Sequence, residues 1–334
     1  MNERTGIQRI GILGSGAWGT ALAAAVTAAG RQALLWARNP ALAQEINNQN
    51  GNSVYLPHIA LDPSIRATSD AGDLAGIDAL LLVVPAQHLR GIASGLNAIL
   101  PKDLPLVLCC KGIERGSGKL MTEVAAEVLP GRPQAVLSGP TFAAEVAAGL
   151  PTAVTLASDD AALATALAEA LGNRTFRPYI SQDLIGAEVG GAVKNVIAIA
   201  CGIVQGRALG ENARAALITR GLAEIVRLGL AKGGRAETLM GLSGFGDLTL
   251  TCTAVQSRNY ALGLALGEGA NFEDLMSVRL TVAEGVESAA AVTILAKSLN
   301  IEMPISRAVN AILHQGADID AVIGSLLARP FTTE

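Results

Sequence analysis

The fold is decided by a stretch near the amino terminus, which reads Ile10-Gly11-Ile12-Leu13-Gly14-Ser15-Gly16-Ala17-Trp18-Gly19. Its apolar start predicts a strand, and the Gly-x-Gly-x-x-Gly pattern leads into a helical pattern over residues 18–29. Gly14 permits a tight turn, Gly16 lets the backbone approach a pyrophosphate, and Gly19 lets helix and strand pack closely. The start of the helix adds N–H groups and a positive dipole for an anion. In this context the stretch predicts a dinucleotide-binding loop rather than a merely flexible turn.

The alternation of strand and helix continues along the first half of the chain. Further buried strands are predicted at residues 32–36, 79–84, 106–110, 135–137 and 152–156. Helices are predicted between them at residues 89–100, 118–128, 142–148 and 160–171. Strands that are apolar throughout and separated by helices indicate a mainly parallel sheet that is covered on both faces. We therefore expect an α/β, Rossmann-like doubly wound domain.

The second half of the chain carries helical patterns with essentially no strand alternation. Helices are predicted at residues 183–204, 212–230, 256–266, 286–299, 305–314 and 318–327. A chain of 334 residues is long enough for two domains. The sequence therefore predicts a dinucleotide-binding Rossmann-like domain over residues 1–182, followed by an all-α substrate-binding domain over residues 183–334.

Composition excludes several classes of function. Hydrophobic residues make up 50% and charged residues 16% of the chain, so disorder is excluded. The net charge of −4 gives no basic surplus for nucleic acid or an anionic membrane. The apolar runs are too short or too interrupted for a transmembrane segment or a secretory signal. The sparse cysteines and histidines form no disulfide framework and no metal-ligand spacing, so we expect a cytoplasmic protein without a metal.

The end of the second predicted strand bears on the choice of dinucleotide. NAD-selective folds usually carry an acidic residue there, which binds the ribose hydroxyls. This chain instead reads Leu35-Trp36-Ala37-Arg38-Asn39, with Arg38 where a 2′-phosphate would lie. A solvated surface arginine is the alternative. Because arginine makes charge-assisted contacts with phosphate, the sequence favours NADPH, with NADH also accepted.

Lys194 is the most informative single residue. It lies in a predicted helix that is apolar nearly all round, so the helix should be buried. Lysine is almost never fully buried without a partner. Burial lowers the pKa of a lysine and makes it available for proton transfer. We therefore interpret Lys194 as a functional residue.

Other polar residues follow predicted strands or open predicted helices. Lys111 and the segment 138–143 come directly after buried strands, where ligands bind in doubly wound sheets. Asp247 lies in a Gly-rich loop, and Ser257-Arg258-Asn259 gathers three donors at a predicted helix start. Each alone is as well explained by a cap or a surface residue. Together with Lys194 and a dinucleotide fold, they indicate a site for a small phosphorylated substrate.

The sequence resembles the bacterial NAD(P)-dependent glycerol-3-phosphate dehydrogenases. The matching segments are 14–21, 110–112, 138–143, 190–195, 212–214, 244–248 with 251–252, 257–259 and 282–285. They occur in the family's order over nearly the whole chain. That order makes the resemblance far more specific than any single motif.

The resemblance implies roles for individual residues. The implied catalytic residues are Lys194, as proton donor and acceptor, with Asp247 and Lys111. The implied substrate contacts are Lys111, Gly139, Thr141, Lys194, Asn195, Asp247, Thr251, Ser257, Arg258 and Asn259. The implied cofactor contacts are Gly14, Gly16, Ala17, Trp18, Gly19, Arg38, Lys111, Ala143, Arg258, Val282 and Glu284. The family often has Ser at the position of Ala17, so only a backbone contact remains there.

The implied reaction is the reversible reduction of dihydroxyacetone phosphate to sn-glycerol 3-phosphate with NADPH or NADH, which supplies phospholipid synthesis. A homodimer is left open. One alternative is a β-hydroxyacid or 6-phosphogluconate-type dehydrogenase, in which the lysine is typically several residues from its asparagine. Lys194 and Asn195 are adjacent here. The other alternative is a non-catalytic nucleotide sensor, against which the intact lysine–aspartate–arginine set argues.

Overall fold

The structure is a computed structural model that describes residues 6–277 and 283–330. The chain divides into two compact units. The first comprises Met1–Lys111 and Leu120–Glu188, and the second comprises Gly112–Lys119 and Val189–Glu334. The functional assignment of the two predicted domains, with their boundary after residue 182, stays a prediction.

The first unit contains the predicted sheet. Its strands are β1 (Arg9–Leu13), β2 (Gln32–Trp36), β3 (Gly51–Asn52), β4 (Leu56–Ala60), β5 (Arg66–Thr68), β6 (Ala79–Leu82), β7 (Leu106–Leu108), β8 (Gln134–Ser138), β9 (Thr152–Ala157) and β10 (Phe176–Ser181). Eight of them form one sheet in the order β10-β9-β8-β7-β6-β1-β2-β5, and β3 pairs with β4 as a hairpin. Within the eight-stranded sheet, neighbouring strands are parallel except β8 and β9. The predicted α/β, Rossmann-like architecture is therefore confirmed.

Helices connect the strands of the first unit. They are α1 (Ala17–Ala28), α2 (Pro40–Gln49), α3 (Leu89–Ser94), α4 (Met121–Val128), α5 (Ala143–Ala147) and α6 (Ala161–Leu171), while α7 (Leu184–Gly206) begins in this unit and continues in the second. The helix predicted over residues 89–100 ends early, because Gly95 follows Ser94 and both carbonyl oxygens of Asn97 accept from the Arg132 guanidinium. Glycine is unfavourable in a helix interior, and these hydrogen bonds hold the next turn in a non-helical conformation.

Two apolar clusters cover the two faces of the sheet. In β6, Ala79 and Leu81 belong to one cluster, whereas Leu80 and Leu82 belong to the other. Successive side chains of a strand point to opposite faces, so a strand buried on both sides must be apolar at every position. This explains why the central strands are continuous apolar runs. Beyond the carboxyl ends of β7 and β8, the chain reaches the polar residues Lys111 and Thr141.

The second unit is helical in residues 189–277 and 283–330, as predicted. After α7 come α8 (Glu211–Ala231), α9 (Ala236–Leu239), α10 (Asp247–Thr253), α11 (Arg258–Gly267), α12 (Phe272–Ser277), α13 (Glu284–Ser298), α14 (Pro304–Gln315) and α15 (Ile319–Leu327). A single π-helical turn, Leu242–Gly246, leads directly into α10. The helices α9, α10 and α12 and this turn were not among the predicted elements.

Helices α7 and α11 touch through their backbones. A Cβ on Gly202 would overlap the carbonyl oxygen of Tyr260, and a Cβ on Gly263 would overlap that of Ile199. Gly206 and Gly267, one turn further along each helix, make the same kind of close approach. Glycine alone fits at such a crossing because it has no side chain beyond hydrogen. The paired glycines therefore set the separation of the two helices.

Helix α7 has the length and the mean hydropathy of a membrane-spanning helix. Of its most apolar window, however, 94% is buried inside the protein. The core helix of a globular protein has the same length and composition. Length and composition alone are therefore weak evidence for a membrane span here.

The first-unit end of α7 carries a buried acid, Glu188. Its two carboxylate oxygens accept from the backbone N of Thr122, at 3.0 Å, and from Thr122 Oγ1, at 2.6 Å. Burial raises the pKa of Glu188 to about 7, against the lowering effect of the Thr122 hydrogen bonds, and the Glu123 carboxylate raises it further. Desolvation prevails because it disfavours the ionised carboxylate by more than the Thr122 hydrogen bonds favour it.

We expect Glu188→Gln to be more stable than the wild type near pH 8 and equally stable near pH 4. The folded protein keeps this proton up to about pH 7, whereas the unfolded chain releases it near the ordinary value of 4.5. Wild-type stability therefore falls as pH rises through this interval, by up to about 3 kcal/mol in total. Glutamine mimics the protonated acid and removes this slope. The measurement is the melting temperature of both proteins as a function of pH. If the two melting temperatures changed with pH in the same way, the raised pKa of Glu188 would be contradicted.

Candidate active site

The predicted dinucleotide loop joins β1 to α1, beside the central strands of the sheet. Gly14 has φ of +122°, and a Cβ there would lie 3.1 Å from the carbonyl oxygen of Val83. A Cβ on Gly19 would overlap the carbonyl oxygen of Gly14. A Cβ on Gly16, in contrast, would meet nothing within 4 Å. Two of the glycines are therefore required by the turn itself, and the third leaves open space beside the backbone.

The start of α1 fits a phosphate group. Gly16 is the N-cap and supplies no side-chain cap, and the first turn contains no acidic residue. Ala17 and Trp18 are the first residues of the helix, so their backbone N–H groups have no acceptor in a preceding turn. Within residues 6–277 and 283–330, the buried Nε1–H of Trp18 also has no hydrogen-bond partner. Unused donors and a positive helix end suit the pyrophosphate of NADPH or NADH.

Arg38 lies between the end of β2 and the start of α2, and its side chain is exposed. The next residue, Asn39, caps α2 by accepting from the backbone N of Ala41 at 3.0 Å. Pro40 occupies the first helical position, where a missing N–H costs nothing. The cap and the proline fix the start of α2, and Arg38 lies directly before it, after the carboxyl end of β2.

Lys111 and the segment after β8 meet at the same edge. Strands β7 and β8 are parallel neighbours, and Lys111 Nζ donates to the Gly139 carbonyl oxygen at 3.0 Å. Thr141 Oγ1 donates to the same oxygen at 3.3 Å. Gly139 has φ of +150°, and a Cβ there would lie 3.0 Å from the Val154 backbone. The structure therefore brings three predicted substrate contacts together, and Ala143 begins α5 directly after them.

In the second unit, Lys194 forms a buried ion pair. Its Nζ donates to Asp247 Oδ1 at 2.5 Å and to Thr251 Oγ1 at 2.9 Å. Lys194 is 6% exposed and Asp247 is 0% exposed. Thr251 Oγ1 donates its own proton to the Asp247 carbonyl oxygen at 2.6 Å, so its lone pairs face the ammonium. The three predicted residues form one cluster that holds a proton-bearing nitrogen in an apolar surrounding.

Two glycines near this cluster allow the π-helical turn to approach α7 and α9 closely. A Cβ on Gly190 would overlap the carbonyl oxygen of Ser243, and a Cβ on Gly244 would overlap that of Leu239. The π-helical turn Leu242–Gly246 therefore lies directly on α7 and starts α10 at Asp247. Such turns often occur at functional sites.

A second buried chain of hydrogen bonds starts beside Lys194. Asn259 Nδ2 donates to Asn195 Oδ1 at 2.9 Å, and the backbone N of Gly285 donates to Asn259 Oδ1 at 2.9 Å. The Asn259 side chain thereby caps α13, which begins at Glu284, and fixes the amide orientation of Asn195. Sequence reasoning treated Asn259 only as a substrate contact. Val282, predicted as a cofactor contact, lies outside the described residues.

Ser257 and Arg258 open α11. Ser257 is the N-cap, and its Oγ accepts from the backbone N of Tyr260 at 3.2 Å. Arg258 is the first helical residue, and its side chain is exposed. A guanidinium at the positive end of a helix is an arrangement that binds phosphate.

Sequence reasoning treated the cysteines as core residues, and all four are free thiols. Cys201 and Cys252 are both buried beside the ion pair. Burial, together with the Cys201 thiol, raises the pKa of Cys252, while Lys194 acts in the opposite direction. The Cys252 thiol therefore stays protonated, and it forms part of the surrounding of Lys194. In the described part of the chain, no three His, Cys, Asp or Glu residues are grouped to hold a metal ion.

Comparisons with known proteins agree with this geometry. The family model "NAD-dependent glycerol-3-phosphate dehydrogenase N-terminus" matches residues 9–164, and the corresponding C-terminus model matches residues 183–324. A glycerol-3-phosphate dehydrogenase [NAD(P)+] of Parvibaculum lavamentivorans is 57% identical over 98% of both chains. One of Rhodospirillum rubrum is 56% identical over 98% of this chain and 94% of its own.

A solved structure has the same fold. The crystal structure of glycerol-3-phosphate dehydrogenase from Coxiella burnetii has a TM-score of 0.92 and 41% sequence identity, and the similarity covers 97% of this chain and 99% of that one. Both family models, the relatives and the fold therefore agree. This chain belongs to the NAD-dependent glycerol-3-phosphate dehydrogenase family.

Proposed function

We propose that this protein catalyses the NAD(P)H-dependent, reversible reduction of dihydroxyacetone phosphate to sn-glycerol 3-phosphate. The observation that carries the proposal is the buried Lys194–Asp247 ion pair, with an N–O distance of 2.5 Å, in a chain that also has an uncapped glycine-rich helix start. The family relatives are named for this reaction. A buried lysine that is oriented by a carboxylate is suited to exchanging a proton with a carbonyl oxygen.

When bound, the reduced nicotinamide supplies a hydride to the carbonyl carbon. Lys194 holds the proton at Nζ and gives it to the carbonyl oxygen, so that no full negative charge develops there. Asp247 and Thr251 fix the direction of the ammonium by accepting two of its hydrogen bonds. In the reverse direction, neutral Lys194 accepts the hydroxyl proton. Because Lys194 supplies the charge at the developing alkoxide, the proposal includes no metal.

The remaining predicted residues are proposed to hold the substrate and the cofactor. Arg258 and Ser257, at the start of α11, bind the phosphate, and Asn195 and Asn259 support that end of the molecule. The chain Lys111–Gly139–Thr141 orients the polar end of the ketone. The proposed cofactor contacts are Gly14, Gly16, Ala17, Trp18, Gly19, Arg38, Lys111, Ala143, Arg258, Val282 and Glu284.

We also propose where the reaction belongs. The product would supply phospholipid synthesis in the cytoplasm, and the free thiols in the described residues agree with a reducing compartment. A homodimer is part of the proposal, and sedimentation of the purified protein tests it.

The test of the reaction is direct. Chelator-treated protein is mixed with NADPH and dihydroxyacetone phosphate, and absorbance of the reduced nicotinamide is followed while the product is identified. We expect oxidation of NADPH in step with the appearance of sn-glycerol 3-phosphate, and no oxidation with a β-hydroxyacid precursor or a 6-phosphogluconate-derived ketone. Absence of turnover in protein that binds NADPH would refute the proposal and favour a nucleotide sensor.

Cofactor choice gives a further prediction. We expect Arg38→Asp to weaken NADPH binding about tenfold or more and to change NADH binding little. The exposed guanidinium attracts the 2′-phosphate, and the aspartate repels it while accepting from the ribose hydroxyls of NADH. Dissociation constants for both dinucleotides, measured by calorimetry, decide the matter. An equal loss for both cofactors would show that Arg38 does not contact the 2′-phosphate.

A further inference from the structure

The hairpin formed by β3 and β4 carries a buried polar residue, Asn52, that no motif singles out. Asn52 is 1% exposed. Its Nδ2 donates to the Ser15 carbonyl oxygen at 3.0 Å and to Thr20 Oγ1 at 2.8 Å. Both partners belong to the loop and first turns between β1 and α1. A residue that lies far along the chain is thus hydrogen-bonded to the glycine-rich loop.

The Ser15 carbonyl oxygen is held by two donors. Besides Asn52, Thr20 Oγ1 donates to it at 3.3 Å, and Thr20 is 0% exposed. Two donors satisfy both lone pairs of a carbonyl oxygen and fix its direction. The peptide between Ser15 and Gly16 is planar and trans, so fixing the carbonyl also fixes the Gly16 N–H, which points the opposite way.

The direction of that N–H matters for the ligand. Gly16 lies beside open space, since a Cβ there would meet no atom within 4 Å. It is also the N-cap of α1, the helix whose start suits a pyrophosphate. Donors that are preset in direction bind an anion without the free-energy cost of ordering the loop. The Asn52 amide is itself oriented, because its Oδ1 accepts from the backbone N of Tyr55 at 3.1 Å.

We infer that Asn52, acting through Ser15 and Thr20, is a positioning residue for the dinucleotide pyrophosphate. The inference rests on the proposed dinucleotide binding and deepens it. Because the pyrophosphate is common to both cofactors, NADPH and NADH should depend on Asn52 equally. A change at Arg38, in contrast, should affect NADPH binding more than NADH binding. The two residues can therefore be told apart by comparing the two cofactors.

The matched control is Asn47, on α2 in the same unit. Its side chain also makes two hydrogen bonds, donating to the Ala67 carbonyl oxygen and accepting from the Ala67 backbone N, each at 2.8 Å. Ala67 lies in β5, away from the glycine-rich loop in the chain. Asn47→Ala therefore removes a comparable amide anchor without a contact to Ser15 or Thr20.

The experiment measures dissociation constants of NADPH and NADH by calorimetry, melting temperature, and turnover at saturating dinucleotide. For Asn52→Ala we expect both dissociation constants to rise about tenfold, with turnover at saturation within about twofold of the wild type. For Asn47→Ala we expect a lower melting temperature with unchanged dissociation constants. If the dissociation constants rise no more in Asn52→Ala than in Asn47→Ala, the inference is overturned.

A second pair of variants keeps the test decisive if Asn52→Ala does not fold. Thr20→Val keeps the volume but removes the hydroxyl, and it should raise both dissociation constants severalfold, whereas Thr20→Ser should restore them. Equal binding by Thr20→Val and Thr20→Ser overturns the inference. If the wild-type protein itself binds neither dinucleotide, the proposed function fails, and that outcome is distinct from wild-type binding that Asn52 does not affect.

Discussion

Lys194→Met should lower turnover of dihydroxyacetone phosphate by about 10²-fold or more while NADPH still binds. Methionine keeps an unbranched chain in the buried site but carries no proton. The loss should fall on turnover more than on the Michaelis constant of the ketone, because the proton moves only in the chemical step. Stopped-flow and steady-state rates, with NADPH affinity measured separately, check this expectation.

The control for this variant follows from burial. Removing Lys194 leaves the fully buried Asp247 carboxylate without its cation, and such a change commonly destabilises a protein by about 3–5 kcal/mol. The double variant Lys194→Met with Asp247→Asn removes both charges together and should recover much of the stability without recovering turnover. Near-normal turnover in either variant, in protein that is folded and binds NADPH, would mean that another group moves the proton.

Arg258→Ala should lower kcat/KM for dihydroxyacetone phosphate by about 10²-fold, while the already poor use of dihydroxyacetone changes little. Arg258 is proposed to bind the phosphate at the start of α11, far from the reacting carbon. Binding energy from such a remote group also orients the carbonyl, so turnover should fall together with affinity. The measurement is the ratio of the two ketones' kcat/KM values in the wild type and the variant.

Two further variants make the phosphate assignment specific. Arg258→Lys keeps the charge without the planar guanidinium and should recover part of the loss. Arg207→Ala is the matched control, because Arg207 donates to Asp320 and to the Gly267 carbonyl oxygen within the second unit. In Arg207→Ala, the ratio of the kcat/KM values for the two ketones should equal that of the wild type. Equal losses on both ketones in Arg258→Ala would contradict the assignment.

The sheet could be predicted from the sequence because its central strands are buried on both faces and therefore read as continuous apolar runs. Strand β10 has no such pattern, since it lies at the sheet edge, contains Pro178 and exposes Tyr179 and Ile180. Helix α2 did have a local signal, Asn39 before Pro40, which the sequence analysis did not use. Edge strands escape prediction because burial on one side imposes little on their sequence.

The polar interior was harder to predict than the sheet. Lys194 stood out because a charge interrupts an apolar helix, and its partner Asp247 was implied only by the family resemblance. Asn52 gives no such signal, because an amide beside a turn is ordinary. Glu188 interrupts the same apolar helix as Lys194, and its partner Thr122 could not be predicted from that pattern. Glu188 meets Thr122 across 66 residues of sequence, and Asn52 meets Ser15 across 37. Such pairings depend on tertiary structure, and no local pattern in the chain specifies them.

The glycine crossing of α7 and α11 has a consequence for selectivity among substrates. Lys194 and Asn195 lie on α7, and Arg258 and Asn259 open α11, with Asn195 hydrogen-bonded to Asn259 at the same crossing. We propose that the main-chain contacts at this crossing set the distance between Lys194 and Arg258, and with it the length of the substrate that fits. If Gly263→Ala left the preference for three-carbon over four-carbon phosphoketones unchanged in folded protein, this account would be wrong. On this proposal, a change in the separation of α7 and α11 alters the accepted substrate length even when every side chain that lines the site is kept.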